Sequence, residues 1–440
     1  MFRFIIRSLF SAIITMLLVS LLLFFMVEYG RGDVTIKILG IESTQAQRDS
    51  YRNQLGLNQP PLVRYFTWLA GNDWWLKDRV GKPLVTVYNP QAKELEWWAR
   101  GNDGELLRWQ MDGGELFELV RQEDGSSIQR PTPDDIWTTD ANGLAEFWGL
   151  NNNNSAVRWI RGEGATIQIR TKAGFREEGD SPVEFIPLSK GLIRGDPGES
   201  LRTGRPVSAS LPGRIQKTGV LAMLAFIVVM PLALLFGIIA GINEGRWTDR
   251  IISITGLALT ATPEFVTGVV LILVFGIWLK WLPAVSVFFS DQSILELLSS
   301  WDSAKILVLP VITLTAVELG YVARMTRTSM VEVMNSSYVR TAIIKGMPYS
   351  RVVLRHAVRN ALIAPITVIM LHVNWLVGGI VIVEVVFGYP GLGTYIYDSA
   401  IFGDFNAIEA AAMVTVAIAV ITRIIGDVAY VLLNPRIRYA

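Results

Sequence analysis

Cysteine is absent from the 440 residues. Disulfides, thiolate metal sites, iron–sulfur clusters and a cysteine nucleophile are excluded with it. Histidine is nearly as scarce: His356 and His372 alone occur, neither in an HExxH arrangement, so no zinc enzyme of that kind and no metal site is expected. The chain has no GxxxxGK(S/T) loop to cradle a nucleotide phosphate. Neither sign of charge dominates, because 40 Lys and Arg stand against 39 Asp and Glu, and a nucleic-acid partner would call for a basic excess. Charged residues make up only 18% of the chain while 51% are hydrophobic, and the mean hydropathy is +0.38. Such a composition argues for a membrane protein. Nothing in it calls for a cofactor.

What is present is unevenly spread. The block from about Asn72 to Lys190 holds 14 basic and 20 acidic residues, whereas the remainder is net positive and contains all the long apolar runs. A spanning helix needs about 20 mostly apolar residues. Six segments qualify, near Leu9–Val27, Thr218–Ile242, Ile252–Trp278, Ile306–Ala323, Ala361–Phe387 and Ile408–Leu432. The first follows Arg3 and Arg7 as a signal peptide would. Its apolar run is long, however, and Glu28-Tyr29-Gly30-Arg31 makes a poor cleavage junction, so an uncleaved helix is expected. Short-loop cations collect on one side: Arg3, Arg7, Arg246, Arg250, the run from Arg324 to Arg359, Arg436 and Arg438, against Lys280 and Lys305 on the other. Lys and Arg are retained in the cytoplasm. Both termini are therefore expected inside, with residues of about 30–215 extracytoplasmic.

Pro231, Pro263, Pro310 and Pro365 fall within these spans and predict kinks, with hinges as the second reading. Glu264 and Glu384 are costly in lipid, so each either lines a translocation path or makes a helix-to-helix hydrogen bond. Arg423 and Asp427, four residues apart on the last span, are spaced to pair.

The most informative stretch lies between the fourth and fifth spans: Tyr321–Met330, then Tyr338-Val-Arg-Thr-Ala-Ile-Ile-Lys-Gly346, then Arg351-Val-Val-Leu-Arg-His-Ala-Val-Arg-Asn-Ala-Leu362. Ala342, Gly346 and the basic stretch beyond suit two short helices joined by a tight turn. By composition alone, a basic loop touching anionic lipid fits equally well.

This stretch resembles the coupling loop of permease subunits in bacterial ABC importers of the dipeptide, oligopeptide and nickel branch, where a pattern close to YVRTAxAKG precedes RHALRNALLP. Further stretches resemble the same family in the same order: Arg7–Val27, Leu55–Tyr65, Gly195–Val207, Val383–Gly393 and Asn434–Tyr439. Departures exist. Arg340 stands where the wider motif has glutamate, Ile343 replaces an arginine, and Pro365 falls one place late. Arg31-Gly-Asp33, superficially an adhesion tripeptide, overlies the family's Gly-Asp element.

The resemblance implies an all-α membrane protein of type I ABC importer fold, in the bacterial inner membrane. It implies a second homologous permease, two cytoplasmic ABC ATPases and an extracytoplasmic solute-binding protein as partners. Within the coupling loop 324–360, Tyr338, Val339, Arg340, Thr341, Ala342, Lys345, Gly346, Arg351, Arg355 and His356 would contact or serve the ATPase.

The block 72–190 has no counterpart in that family and separates an N-terminal part, 1–71, from a five-helix core, 191–440. Short alternating runs at Leu84–Tyr88, Glu94–Arg100, Glu105–Met111, Glu115–Gln122, Val157–Arg161, Thr166–Arg170 and Val183–Ile186 predict an inserted extracytoplasmic β-rich domain. Gly101-Asn-Asp-Gly104, Asp112-Gly-Gly and Asp124-Gly125 read as hairpin turns, and Asn151–Asn154 as a loop. The block holds eight of the fourteen tryptophans, as core or as an exposed recognition face. The rival to a permease is a membrane-anchored receptor whose β domain binds ligand.

Overall fold

The computed structural model describes residues 2–30, 34–89, 94–112, 115–139, 143–160, 167–171, 174–178, 184–286 and 300–433. Arg31-Gly-Asp33, the two glycines after Asp112, the side chains of His372 and Asp427, and the terminal Asn434–Tyr439 lie outside the described residues. The chain divides into two compact units. One comprises Met1–Ser20, Ser210–Asp398 and Ala411–Ala440, the other Leu21–Ala209 with Ser399–Ala410.

Long apolar helices dominate the first unit. Four stretches among the described residues are long and apolar enough to cross a membrane: Ile6–Gly30 in α1 (Phe2–Gly30), α6 (Val207–Ile242), Lys305–Met334 ending in α9 (Val308–Met334), and Phe405–Gly426 in α13 (Phe405–Leu433). The number rises to six if each of two bent pairs counts as one span. One pair is α7 (Trp247–Ala261) with α8 and its π continuation (Glu264–Trp278), bent by 105°. The other is Gly378–Phe387, the end of α11 (Ile363–Phe387), with α12 (Leu392–Phe402), bent by 72°.

Of the four prolines, Pro263 falls at one of the two bends. A residue before proline is pushed out of helical geometry. Thr262 accordingly sits at φ −89°, ψ 126°, and the helix expected over Ile252–Trp278 breaks at Thr262-Pro263. Pro310 and Pro365 occupy the third positions of α9 and α11, where a missing N–H leaves no hydrogen bond unmade. Pro231 lies inside α6 without ending it.

Central to this unit is α9, mostly buried, while only a minor share of the apolar windows of α1, α6 and α13 is buried, as lipid-facing surfaces would require. Neighbouring helices approach α9 through glycine. A Cβ on Gly320 would stand 2.1 Å from the carbonyl oxygen of Gly256 on α7, and Cβ atoms on Gly237 and Gly241 of α6 would each fall 2.4 Å from the Cβ of Thr326 and Met330. Small residues allow such close backbone packing between membrane helices.

The second unit opens with α2 (Val34–Leu39), α3 (Gln45–Gln54), α4 (Pro61–Ala70) and α5 (Asp73–Val80). An antiparallel five-stranded meander follows, β1 (Leu84–Asn89), β2 (Glu94–Arg100), β3 (Leu106–Asp112), β4 (Glu115–Arg121) and β5 (Ser127–Pro131). Then come β6 (Thr138–Thr139), β7 (Ala145–Leu150), β8 (Ser155–Ile160), β9 (Ile167–Thr171), β10 (Gly174–Glu178) and β11 (Glu184–Pro187). They form a sheet of order β11-β8-β7-β6 and a two-stranded ribbon of β9 and β10. Leu84 pairs with Ala99, Trp109 with Glu118 and Phe147 with Trp159.

Tryptophan builds the core between the two larger sheets. Trp97, Trp109 and Trp159 are buried with Leu76, Phe147, Leu150 and Ile186, and Trp75, Trp137 and Trp148 pack against them. Phe147 stacks on Trp159 at 5.7 Å and meets Trp109 edge-on at 5.1 Å. Of the eight tryptophans in the block, Trp74 alone is largely exposed, so aromatic content here is chiefly core. The turns fall on the expected glycines: Gly104 and Gly125 adopt φ +84° and +86°. The Asp124 carboxylate is held below its usual range by the hydroxyl and N–H of Ser126.

Asn154 joins the sheets from a left-handed turn at φ +54°. Its Oδ1 accepts the N–H of Trp97 at 2.9 Å and a guanidinium N–H of Arg108 at 2.6 Å. Burial pushes Arg108 down to about 10. Both chain ends of the block meet at Asn72, which is fully buried. Its amide donates to Pro187 O at 2.8 Å, and its Oδ1 accepts Ser189 N–H at 2.9 Å. Beside it, a Cβ on Gly191 would lie 2.3 Å from the Gly71 nitrogen, so the two backbones touch.

Asn154→Gly keeps the positive φ but strands both donors, at a cost of about 1–3 kcal/mol. The expected result is a lower thermal midpoint, followed by tryptophan fluorescence, whereas Asn154→Asp, which keeps the acceptor beside Arg108, should stay close to the parent.

Candidate coupling surface

The loop between α9 and α11 is a helix–turn–helix. Asn335 and Ser336 end α9, and α10 (Ser337–Ile344) follows. At its C-terminus Gly346 adopts φ +74°, donating to Ile343 O at 2.9 Å, while Met347 N–H donates to Ala342 O at 3.3 Å. This paired closure of a helix end is one that glycine favours, because a Cβ penalises the left-handed conformation. A second helical stretch, 349–361, contains π geometry over Val352–Ala357.

The two helices share a small core. Val339 and Ala342 are buried against Val352, Val353, Ala357 and Ala361, with Met330 of α9 beneath and Ile238 and Ile242 of α6 beside them. Ser329 on α9 donates to Ala361 O at 2.7 Å. Two turns from the end of α9, Arg327 makes a two-pronged ion pair with Asp249 at the start of α7, the outer contact being 2.7 Å. Asp249 also accepts the Gly245 N–H at 2.9 Å and the Ser253 hydroxyl at 3.2 Å. The loop is thereby tied to α9 and α6, and α9 in turn to α7.

Its outer face is different in character. Tyr338, Ile343, Ile344, Tyr349 and Leu354 are exposed, Ile344 at 78% and Leu354 at 70%, and Arg340, Lys345, Arg351, Arg355 and Arg359 stand among them. An apolar patch rimmed by charge marks a surface that another protein or a membrane covers. Of the ten residues selected from the sequence, Tyr338, Arg340, Thr341, Lys345, Gly346, Arg351 and Arg355 are on this exposed side. Val339 and Ala342 face the loop's own core, and His356 is half-buried. Leu354 and Tyr349 were missed by motif reading, although large apolar residues amid arginines are themselves a surface signal. Asp249 was missed because its partner lies 78 residues away.

The two intramembrane acids are not brought together. Glu384 is fully buried, accepting hydrogen bonds from Thr218 of α6 and from the N–H groups of Gly393 (2.6 Å) and Thr394 (3.3 Å) at the start of α12. A carboxylate at a helix N-terminus suits the helix dipole. A Cβ on Gly391 would fall 2.0 Å from Glu384 Oε1, so the Gly-rich turn closes on the acid. The Thr218 contact is a helix-to-helix hydrogen bond between α6 and α11. Glu264 starts α8 at the 105° bend, and one of its buried oxygens has no hydrogen-bond partner among the described residues.

The family described as "binding-protein-dependent transport system inner membrane component" matches residues 233–439, spanning this entire loop, and its N-terminal companion family matches 1–76. The chain belongs to this family. It is an inner-membrane permease, a transport component rather than an enzyme. A probable peptide ABC transporter permease of Sinorhizobium fredii, y4tP, is 33% identical over 284 residues, covering 64% of this permease and 88% of the relative. The glutathione transport system permease protein GsiC of Escherichia coli is 34% identical over 289 residues, covering 64% and 89%. Among solved structures, the inward-facing MetNI methionine ABC transporter covers 52% of this permease and 96% of its own chain at 15% identity and a TM-score of 0.38, too remote to carry detail.

Gly346 has open space around it, so its substitution tests backbone conformation rather than packing. Gly346→Asn, which tolerates positive φ, should behave as the parent. Gly346→Val should distort the turn at a cost of about 1–2 kcal/mol. Limited proteolysis at Lys345 and Arg351 should accelerate for the valine variant alone.

Proposed function

We propose that this permease forms half of a type I importer channel, paired with a second homologous permease and driven by two cytoplasmic ABC ATPases. An extracytoplasmic binding protein delivers the solute. The exposed face of α10 and the stretch 349–361 sits in a groove of one ATPase. Nucleotide-driven closure of the ATPases then moves that face, and the Val339, Ala342 and Met330 packing passes the motion to α6 and α9, exposing the pathway to either side in turn. The observation that carries this reading is an outward patch of isoleucine, leucine, tyrosine and arginine on a loop whose inner side is packed onto the spans. Peptides or peptide-like solutes are the proposed cargo, following the names of the relatives. Both termini are cytoplasmic and residues of about 30–215 extracytoplasmic in the proposed orientation, consistent with the loop cations.

Coexpression with the ATPases and affinity purification tests the coupling. Ile344→Asp and Leu354→Asp change exposed residues, so the permease should fold while ATPase recovery falls at least tenfold, as burying an unpaired charge at an interface would require. Undiminished recovery would contradict the assignment.

The block 72–190 is proposed as an inserted domain that docks the binding protein. The touching backbones at Gly71 and Gly191 support the choice of boundaries. Deleting 72–190 and joining Gly71 to Gly191 should leave ATPase recovery intact and weaken binding-protein association measured by biolayer interferometry. Equal association would remove the docking role.

A further inference from the structure

The second unit contains a cavity of about 570 Å³. That volume falls within the roughly 300–1,000 Å³ typical of small-solute sites. The inserted block supplies part of its wall through β1, β2 and the Asn153–Asn154 turn. The rest comes from the flanking segments 55–72 and 186–209 and from 405–409. The insertion therefore completes a chamber that the flanking segments alone would leave open.

Most charges in this chamber are already engaged. Arg64 pairs with Glu28 at 2.7 Å, and Arg194 forks onto Asp73. Asp196 accepts the N–H groups of Lys190 at 2.9 Å and Gly198 at 3.1 Å, and Glu199 and Glu409 have partners of their own. Lys190 differs. Its ammonium lies 5.8 Å from the centre of the Trp97 ring and meets no carboxylate among the described residues. A cation over an indole face keeps its charge available to an incoming anion. Gln59 and Tyr88 line the same chamber, with an amide and a hydroxyl that no described residue engages.

We propose that this chamber binds a short peptide by its terminal carboxylate. Lys190 pairs with the carboxylate, Trp97 and Tyr88 flank an apolar side chain, and Gln59 hydrogen-bonds the peptide backbone. The chamber, its unpaired cation and its aromatic wall define an amphiphilic carboxylate; the choice of peptide among such molecules rests on the importer reading. Bound there, solute released by the binding protein would be held on the permease before passage.

The test is calorimetric titration of the purified full chain in nanodiscs, without binding protein, using the tripeptide Ala-Phe-Ala and its C-terminal amide. The free acid should bind at least about tenfold more tightly than the amide, Lys190→Ala should abolish that preference, and Lys190→Arg should restore it. No saturable binding, or equal affinity for acid and amide, would overturn the proposal. So would a Lys190→Ala chain that binds as the parent does. ATPase recovery is read from the same preparation. A chain that recovers ATPase but ignores the tripeptide removes the chamber proposal alone. One that binds the tripeptide through Lys190 yet recovers no ATPase removes the importer reading and leaves the carboxylate site standing.

Discussion

Backbone contact between α7 and α9 is the constraint on which the helical unit depends. Where Gly256 meets Gly320 there is no room for a side chain, and the same holds where Gly237 and Gly241 of α6 meet Thr326 and Met330. In lipid, where the hydrophobic effect does not drive helices together, such contacts supply dispersion and leave little freedom to slide. Because α9 runs directly into the helix–turn–helix, its position dictates where that surface stands. The ion pair of Asp249 with Arg327 fixes the same end of α9 against α7. A rigid connection of this kind is what a permease needs if a push on one surface is to reach its spans.

The second unit obeys a different economy. Its core sets the large rings of Trp97, Trp109, Phe147, Trp159 and Phe185 among aliphatic side chains, and fully burying one large apolar side chain is worth roughly 1.5–3 kcal/mol. Two buried polar side chains there are held by several partners, Arg108 by Trp97 O and Asn154, and Asn72 by Pro187 and Ser189, whereas the buried Trp109 Nε1 has none among the described residues. Closure at Asn72 lets a block of over one hundred residues leave and rejoin the chain at adjacent points. Length added in this way costs little loop entropy at the junction and leaves the flanking segments free to keep their own packing.

Periodicity and composition made much of this legible in advance. Apolar runs marked the long helices, and glycine with aspartate marked the hairpin turns at 101–104 and 124–125. Family resemblance, through Tyr338–Gly346, pointed to the loop that carries the exposed patch. What escaped the sequence was long-range pairing. Proline content alone does not distinguish Pro263, which breaks a helix, from Pro310 and Pro365, which sit where a helix begins. That difference depends on where each helix starts. Asn151–Asn154 read only as a loop because nothing local reveals that Asn154 reaches Trp97 and Arg108. Nor does anything local reveal the partners of Glu384, since Thr218 and the Gly393 amide belong to other segments.

The lack of native cysteine gives the central claim a direct measurement. Ile344→Cys, carrying a thiol-attached photo-cross-linker, is placed in the full chain and purified with its coexpressed ATPases. Ile128→Cys, exposed on β5, serves as the control. The account predicts a cross-link from position 344 to an ATPase subunit and none from position 128. An ATPase-containing complex in which position 344 fails to cross-link would contradict it.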